Sequence, residues 1–387
     1  MTESVGPGGS EPILIPRSAA RGMAGILPYV TEGVPMVWSQ DCLRHDPLAE
    51  VWVGVRTVGT EVAERATVIR DAVLAAGGLL VDAQPHDDSV LLQVHDELLL
   101  QHLRTIHDDW VESGFPVDPG QDRVVPYVFP TAGMLGGLPM RVPTATHARA
   151  GRYCYDTMTL VGPGTWEAAR GAVDAALTAV ELVTRAGQPV AYALCRPPGH
   201  HASREWFGGS CYLNNAAVAA QALRASGHER VAVVDLDAHH GNGTQALFYD
   251  RADVFYGSLH VDPGAGWFPH YVGFADETGT GAGAGCNRNE PLAPGTADIA
   301  WLDAVERLRD AAAEHGSTAL VVSLGVDAAA DDPESPLQVT ADGYHRAGRL
   351  LSRLGLPTVA VQEGGYHLPT LGPLVVAALA GLQATAD

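Results

Sequence analysis

The sequence predicts an α/β fold, a three-layer α/β/α domain around a central, mainly parallel sheet. Three observations predict it. From about residue 165 onward, short apolar runs alternate with stretches of helical period, and that alternation calls for parallel strands joined by helical crossovers. The runs VAVVD (231–235) and ALVVSL (319–324) are continuously apolar, as strands covered on both faces are. Polar residues able to do chemistry stand directly behind several of these runs, at the strand ends where open parallel sheets place their sites.

The elements follow in order. Residues 1–34 read as a flexible leader and 35–387 as a single catalytic domain. Val62, Ala66, Ile69 and Val73 fall at helical spacing between Val58 and Ala76, and Gly77-Gly78 closes that helix. Residues 113–150 are rich in Pro and Gly and carry no period. They read as an inserted functional loop near the entrance of the site, with Tyr127, Phe129, Met134, Leu135 and Met140 as apolar side chains to bury. Thr165 can cap a helix running to about Arg185. Strands are expected over 190–195, 231–235, 253–259, 319–324 and 358–362, and helices over 214–225, 299–314, 341–354 and 374–382.

Charge and composition bound the function. The 387 residues include 24 basic ones, every one of them Arg, against 45 acidic ones, for a net charge of −21. Such a chain is not built to neutralise nucleic-acid phosphates, and with no Lys it has no Schiff-base or P-loop lysine. No run reaches the ~18 apolar residues of a membrane span, and residues 1–12 lack the features of a signal peptide. Cys42, Cys154, Cys195, Cys211 and Cys286 are odd in number and form no CxxC pair, which suits a reduced, cytoplasmic setting.

Four clusters carry the chemistry. Asp235-Leu-Asp237-Ala-His239-His240-Gly241-Asn242 follows VAVVD. Asp237 and His239, two apart in extended chain, project to one side and can share a cation. Asp327, behind ALVVSL, can complete an Asp–His–Asp set with a position left open for water and substrate. Arg196-Pro-Pro-Gly-His200-His201 places adjacent histidines on a rigid turn. They suit acid–base work with Asp235 and Asn242 as ring partners, although tandem histidines also serve as metal ligands or surface residues. Gln362-Glu363-Gly364-Gly365-Tyr366 brings a phenol able to donate to a developing oxyanion.

Together, RPPGHHA, DLDAHHGNGTQALFY, SLGVD with DDP, and EGGY resemble the zinc-dependent deacetylases of the arginase/deacetylase fold. Within them, the stretches GTWEAAR (164–170), FPHYVGFADE (268–277) and Gly279–Gly285 resemble the bacterial acetylpolyamine amidohydrolases, close to class II histone deacetylases. The resemblance implies one catalytic Zn²⁺ on Asp237, His239 and Asp327, although the ligand set also accepts Fe²⁺. It pairs His200 with Asp235 and His201 with Asn242, and it makes His201 the general base and Tyr366 the group that polarises the carbonyl. Asp235, Asp237, His239, Ser258 and Leu259 correspond to a structural K⁺ site, and Phe248 to a second one. Glu50 falls on a glutamate that contacts the distal ammonium of the substrate. Gly209, Ser210, Trp267, Phe268 and Tyr271 fall around the substrate tunnel. Residues 113–150 match a loop that takes part in homodimerisation and narrows the entrance.

Ser210 departs from the family, which usually carries Phe or Tyr there as a tunnel wall. The change widens the slot and leaves the chemistry untouched. The implied activity is removal of acetyl or related acyl groups from a small acylated amine, with protein lysine deacetylation as the rival. A catalytically silent scaffold of the same fold would lack a ligand, the histidine pair or the tyrosine, and this chain retains them all. An arginase-like two-metal site would need a carboxylate at position 325, where the chain has Gly.

Overall fold

Successive residues of a strand point to opposite faces, and the buried strands use both. In a computed structural model of the chain, which describes residues 29–384, Val231 and Val233 join one hydrophobic core and Ala232 and Val234 the other. The sheet between the cores contains β1 (Pro35–Trp38), β4 (Leu79–Asp82), β5 (Val190–Ala193), β6 (Val231–Asp235), β7 (Val254–Val261), β8 (Asn287–Leu292), β9 (Ala319–Leu324) and β10 (Thr358–Gln362). Their order is β4-β1-β5-β10-β9-β6-β7-β8, and every pairing is parallel. Helices Thr165–Thr184 and Asn215–Ala225 cover one face. Glu64–Ala75, Asp298–Glu314, Ala341–Ser352 and Leu368–Gln383 cover the other. This is the three-layer architecture that the sequence predicts.

Register places the site. Ala193, Val361, Ser323, Asp235 and Ser258 lie side by side across β5, β10, β9, β6 and β7. The four chemistry-bearing clusters therefore leave one end of four adjacent strands at nearly one level.

Several boundaries differ from expectation. The first helix begins at Glu64 rather than near Val58, because residues 58–63 run along the mouth of a cleft and bury Glu61 in an ion-pair network. Gly164, at φ +78°, is the N-cap of the next long helix. Thr165 is its first residue, and its hydroxyl accepts the Gly162 N–H at 3.0 Å. The last helix starts at Leu368 and carries Pro373 inside it. Residues 113–150 form turns with two short helices, Ala132–Leu135 and part of Thr146–Tyr153. Of the five apolar side chains expected to bury, Tyr127, Met134 and Met140 are exposed in the single chain, and Phe129 and Leu135 are half-buried.

Residues 1–28 of the expected leader lie outside the described residues. Residues 29–34 are held to the domain, with Thr31 and Gly33 donating to the carbonyls of Ala76 and Gly77. A small antiparallel hairpin, β2 (Glu50–Trp52) with β3 (Val55–Thr57), stands at the cleft mouth.

Candidate active site

Asp237 and His239 leave β6, and Asp327 leaves β9, its neighbour in the sheet. One ligand atom from each lies within 4.8 Å of the other two. His239 Nδ1 stands 3.2 Å from Asp237 Oδ1 and 3.0 Å from Asp327 Oδ2. Both carboxyl groups are buried. Burial and the neighbouring Asp237 charge push Asp327 up from the usual carboxylate range. Two buried acids beside one imidazole form a donor set that asks for a cation.

The surrounding backbone is thinned to make room for this set. A Cβ at Gly364 would fall 2.3 Å from Asp327 Oδ2 and 2.6 Å from Asp237 Oδ2, and one at Gly325 would fall 2.1 Å from Asp237 Oδ2. The donor set thus fits a single divalent ion, and position 325 has no space for the additional carboxylate of a two-metal site.

The two histidines have different partners, which shift them in opposite directions. His200 Nδ1 lies 3.0 Å from Asp235 Oδ2, which also accepts the Tyr256 hydroxyl at 3.0 Å. Burial opposes the charged ring of His200, but the Asp237 and Asp235 carboxylates outweigh it and push the group up to about 10. His201 Nδ1 lies 2.7 Å from Asn242 Oδ1. Burial and the neighbouring imidazoles hold His201 well below the usual range. An amide oxygen on Nδ1 keeps the proton there and leaves Nε2 with its lone pair free.

Other groups, to which the sequence reading gave no role, support these. Glu363 is fully buried, and its Oε2 accepts the N–H groups of Gly199 at 2.7 Å and His200 at 3.1 Å. Burial pushes it up to about 7, with the His200 charge acting against that. A carboxylate just past the end of a buried strand is the same signal that marks Asp237. Asp332 Oδ2 accepts the N–H of Tyr366 at 2.7 Å and of His367 at 3.2 Å. Arg65 donates to the carbonyls of Glu363 and Gly365, both at 2.6 Å, and its guanidinium lies 4.6 Å from the Tyr366 ring centroid. Burial holds the Tyr366 hydroxyl well above its ordinary value, so it remains a donor.

A cleft of about 770 Å³ leads down to His201, His239 and Tyr366. Glu50, Gly209, Ser210, Trp267 and Phe268 line it, as expected. Tyr271 does not; it is 88% exposed, and His270 is in the lining instead. The turn at His270 has φ +63°, which the sequence does not announce. Glu334, also unassigned from sequence, lines the mouth near Glu50, and the Thr60 hydroxyl donates to its Oε1 at 2.9 Å. Burial, then the charges of Glu334 and Asp156, push Glu50 up to about 7. No residue of 113–150 lines the cleft in the single chain. Of the groups expected around potassium, Asp235 and Ser258 are paired across β6 and β7, and Leu259 and Phe248 are buried.

Gly364→Ala tests the tightness of the donor set. The variant is expected to keep its circular dichroism spectrum and to bind Zn²⁺ substoichiometrically, as measured by elemental analysis after dialysis.

Known proteins resemble the chain over most of its length. Residues 59–382 match the histone deacetylase domain. An acetylpolyamine amidohydrolase of Mycoplana ramosa is 40% identical over 348 residues, covering 90% of this chain and 99% of that protein. Acetylpolyamine amidohydrolase 1 of Pseudomonas aeruginosa is 38% identical and covers the same shares. The crystal structure of an acetylpolyamine aminohydrolase from Burkholderia pseudomallei matches with a TM-score of 0.84 at 39% identity, covering 91% of this chain and 99% of that one. The strand-end site sits on the arginase/deacetylase fold, and the chain belongs to the histone deacetylase domain family.

Proposed function

We propose that the protein is a zinc-dependent amidohydrolase that removes acetyl, or a related acyl group, from a small acylated amine, with acetylated polyamines as the substrate class. The observation that carries the reading is the close Asp237–His239–Asp327 donor set beside a neutral, amide-partnered His201 and a protonated Tyr366.

Zn²⁺ held by Asp237, His239 and Asp327 would supply a Lewis acid for the acyl carbonyl and for a water. His201 Nε2 takes a proton from that water and returns it to the leaving amine nitrogen. Asn242 fixes the tautomer that this requires. His200, held by Asp235 on its Nδ1, assists electrostatically. The Tyr366 hydroxyl donates to the carbonyl oxygen as it gains charge. Glu50 and Glu334 at the mouth favour a substrate with an ammonium at its far end.

The same proposal includes a structural K⁺ at Asp235, Asp237, His239, Ser258 and Leu259, mainly on backbone carbonyls, with Phe248 at a second site; the direct pairing of Asp235 with Ser258 across β6 and β7 supports it. The exposed apolar surface of 113–150 is assigned to a second copy of the chain in a homodimer. Five unpaired thiols suit the cytoplasm. Among the described residues no helix is long and apolar enough to cross a membrane. One observation favours a protein lysine substrate instead: in the single chain, residues 113–150 do not roof the cleft.

The discriminating assay offers the zinc-loaded protein acetylputrescine and an acetyl-lysine peptide. Faster turnover of acetylputrescine supports the proposal, and preference for the peptide contradicts it. In the same assay Tyr366→Phe is expected to lose on the order of 10²–10³ in kcat with zinc content unchanged.

A pH dependence follows from Glu50, which is protonated below about 7 and ionised above it. A substrate ammonium with pKa near ~10 stays charged across that range. The ratio of kcat/KM for acetylputrescine to that for uncharged N-propylacetamide should rise as pH passes upward through about 7. Glu50→Gln should flatten that ratio.

A further inference from the structure

Ser210 brings only a small side chain to the cleft lining, and a neighbouring loop is fastened to the turn that carries it. Gly208 and Cys211 exchange backbone hydrogen bonds of 3.1 and 3.0 Å around Gly209 and Ser210, both at positive φ. This turn is clamped to residues 155–159. Asp156 Oδ2 accepts the Gly209 N–H at 2.6 Å, and Thr159 Oγ1 accepts that of Ser210 at 2.9 Å. Asp156 Oδ1 also accepts the amides of Met158 at 2.9 Å and Thr159 at 2.8 Å, so one carboxylate fixes the loop and the turn together.

On its other side the loop is tied to the hairpin at the mouth. The Thr157 hydroxyl donates to the Val51 carbonyl at 2.6 Å, and the Val51 N–H donates to the Thr157 carbonyl at 3.2 Å. The Tyr155 ring packs on Gly208, where a Cβ would fall 2.4 Å from its Cζ, and lies nearly parallel to Phe268 with centroids 6.5 Å apart. Met158, from the middle of this fastened loop, is half-buried and lines the cleft with Ser210 and Phe268.

We propose that Met158 rebuilds the wall that Ser210 leaves open and makes it adjustable. The cleft then accepts amines whose chain next to the scissile amide is branched or carries a ring, as well as straight methylene chains. Methionine has three rotatable bonds and a soft thioether, so it fills a gap without fixing its shape. An aromatic ring at 210 would compete with Met158 for the same wall and hold the slot narrow. The inference rests on the proposed reading of this cleft as one that takes an acylated amine.

The test measures affinity, so it does not depend on turnover. Three hydroxamic acids, which chelate a cation held by carboxylates and an imidazole, are titrated calorimetrically into the full zinc-loaded chain. Acetohydroxamic acid has no chain, octanohydroxamic acid has a straight one and benzohydroxamic acid carries a ring. Met158→Ala should raise the Kd of octanohydroxamic acid about tenfold, from lost apolar contact, and leave acetohydroxamic acid unchanged. Ser210→Tyr should weaken benzohydroxamic acid by about the same factor without weakening the straight chain. The proposal is overturned if Met158→Ala moves the straight-chain Kd less than about twofold, or moves acetohydroxamic acid equally. It is also overturned if Ser210→Tyr leaves benzohydroxamic acid unaffected. Failure of the unaltered enzyme to hydrolyse any acylated amine would count against the amidohydrolase reading and leave these affinities to be judged separately.

Discussion

Two carboxylates buried within reach of one another at the ends of adjacent strands are the constraint on which the rest of the site depends. Asp237 and Asp327 cannot both carry charge in a dry interior without a compensating cation, and His239 completes a set of donors for one. The neighbouring features follow from making room for that set. Gly325 and Gly364 occur where a Cβ would strike the carboxylates. The flush register of β5, β10, β9 and β6 brings histidines, ligands and tyrosine to one level. The contrast between His200 and His201 arises because one faces carboxylates and the other an amide.

A second buried charge cluster holds the loops that carry these groups. Glu61 receives Arg65 at 2.8 Å and Arg196 at 2.9 Å, and His45 lies 3.6 Å from it, all of them buried. Arg196 begins the turn that bears the histidine pair, and Arg65 grips the carbonyls just before Tyr366. Removing one partner from such a cluster leaves an uncompensated buried charge, which costs far more than an exposed pair contributes. The acid–base turn and the phenol turn are therefore fastened to one carboxylate that lies outside both the cleft lining and the donor set.

Much of this was legible in the sequence, for a physical reason. The central strands are buried on both faces, so β6, β9 and β10 stand out as apolar runs with sharp ends, and the reactive residues follow those ends directly. The β8 edge of the sheet was not legible. β8 reads Asn-Arg-Asn-Glu-Pro-Leu, and a strand that borders solvent and contains Pro carries no apolar signal. Roles that depend on tertiary approach also stayed hidden. Glu334 gains meaning only because a loop after β9 meets the hairpin at Glu50, and Met158 only because Asp156 clamps its loop to the turn at Ser210. Tyr271 carries the aromatic signal in this stretch, but the turn at His270 puts His270 itself in the cleft lining.

The most direct measurement of the central claim is thermal unfolding of chelator-treated protein titrated with Zn²⁺. The unfolding temperature should rise and saturate at one ion per chain, and Asp327→Asn should remove the rise. An unfolding temperature that ignores zinc, or one that saturates only at two ions per chain, would contradict that claim.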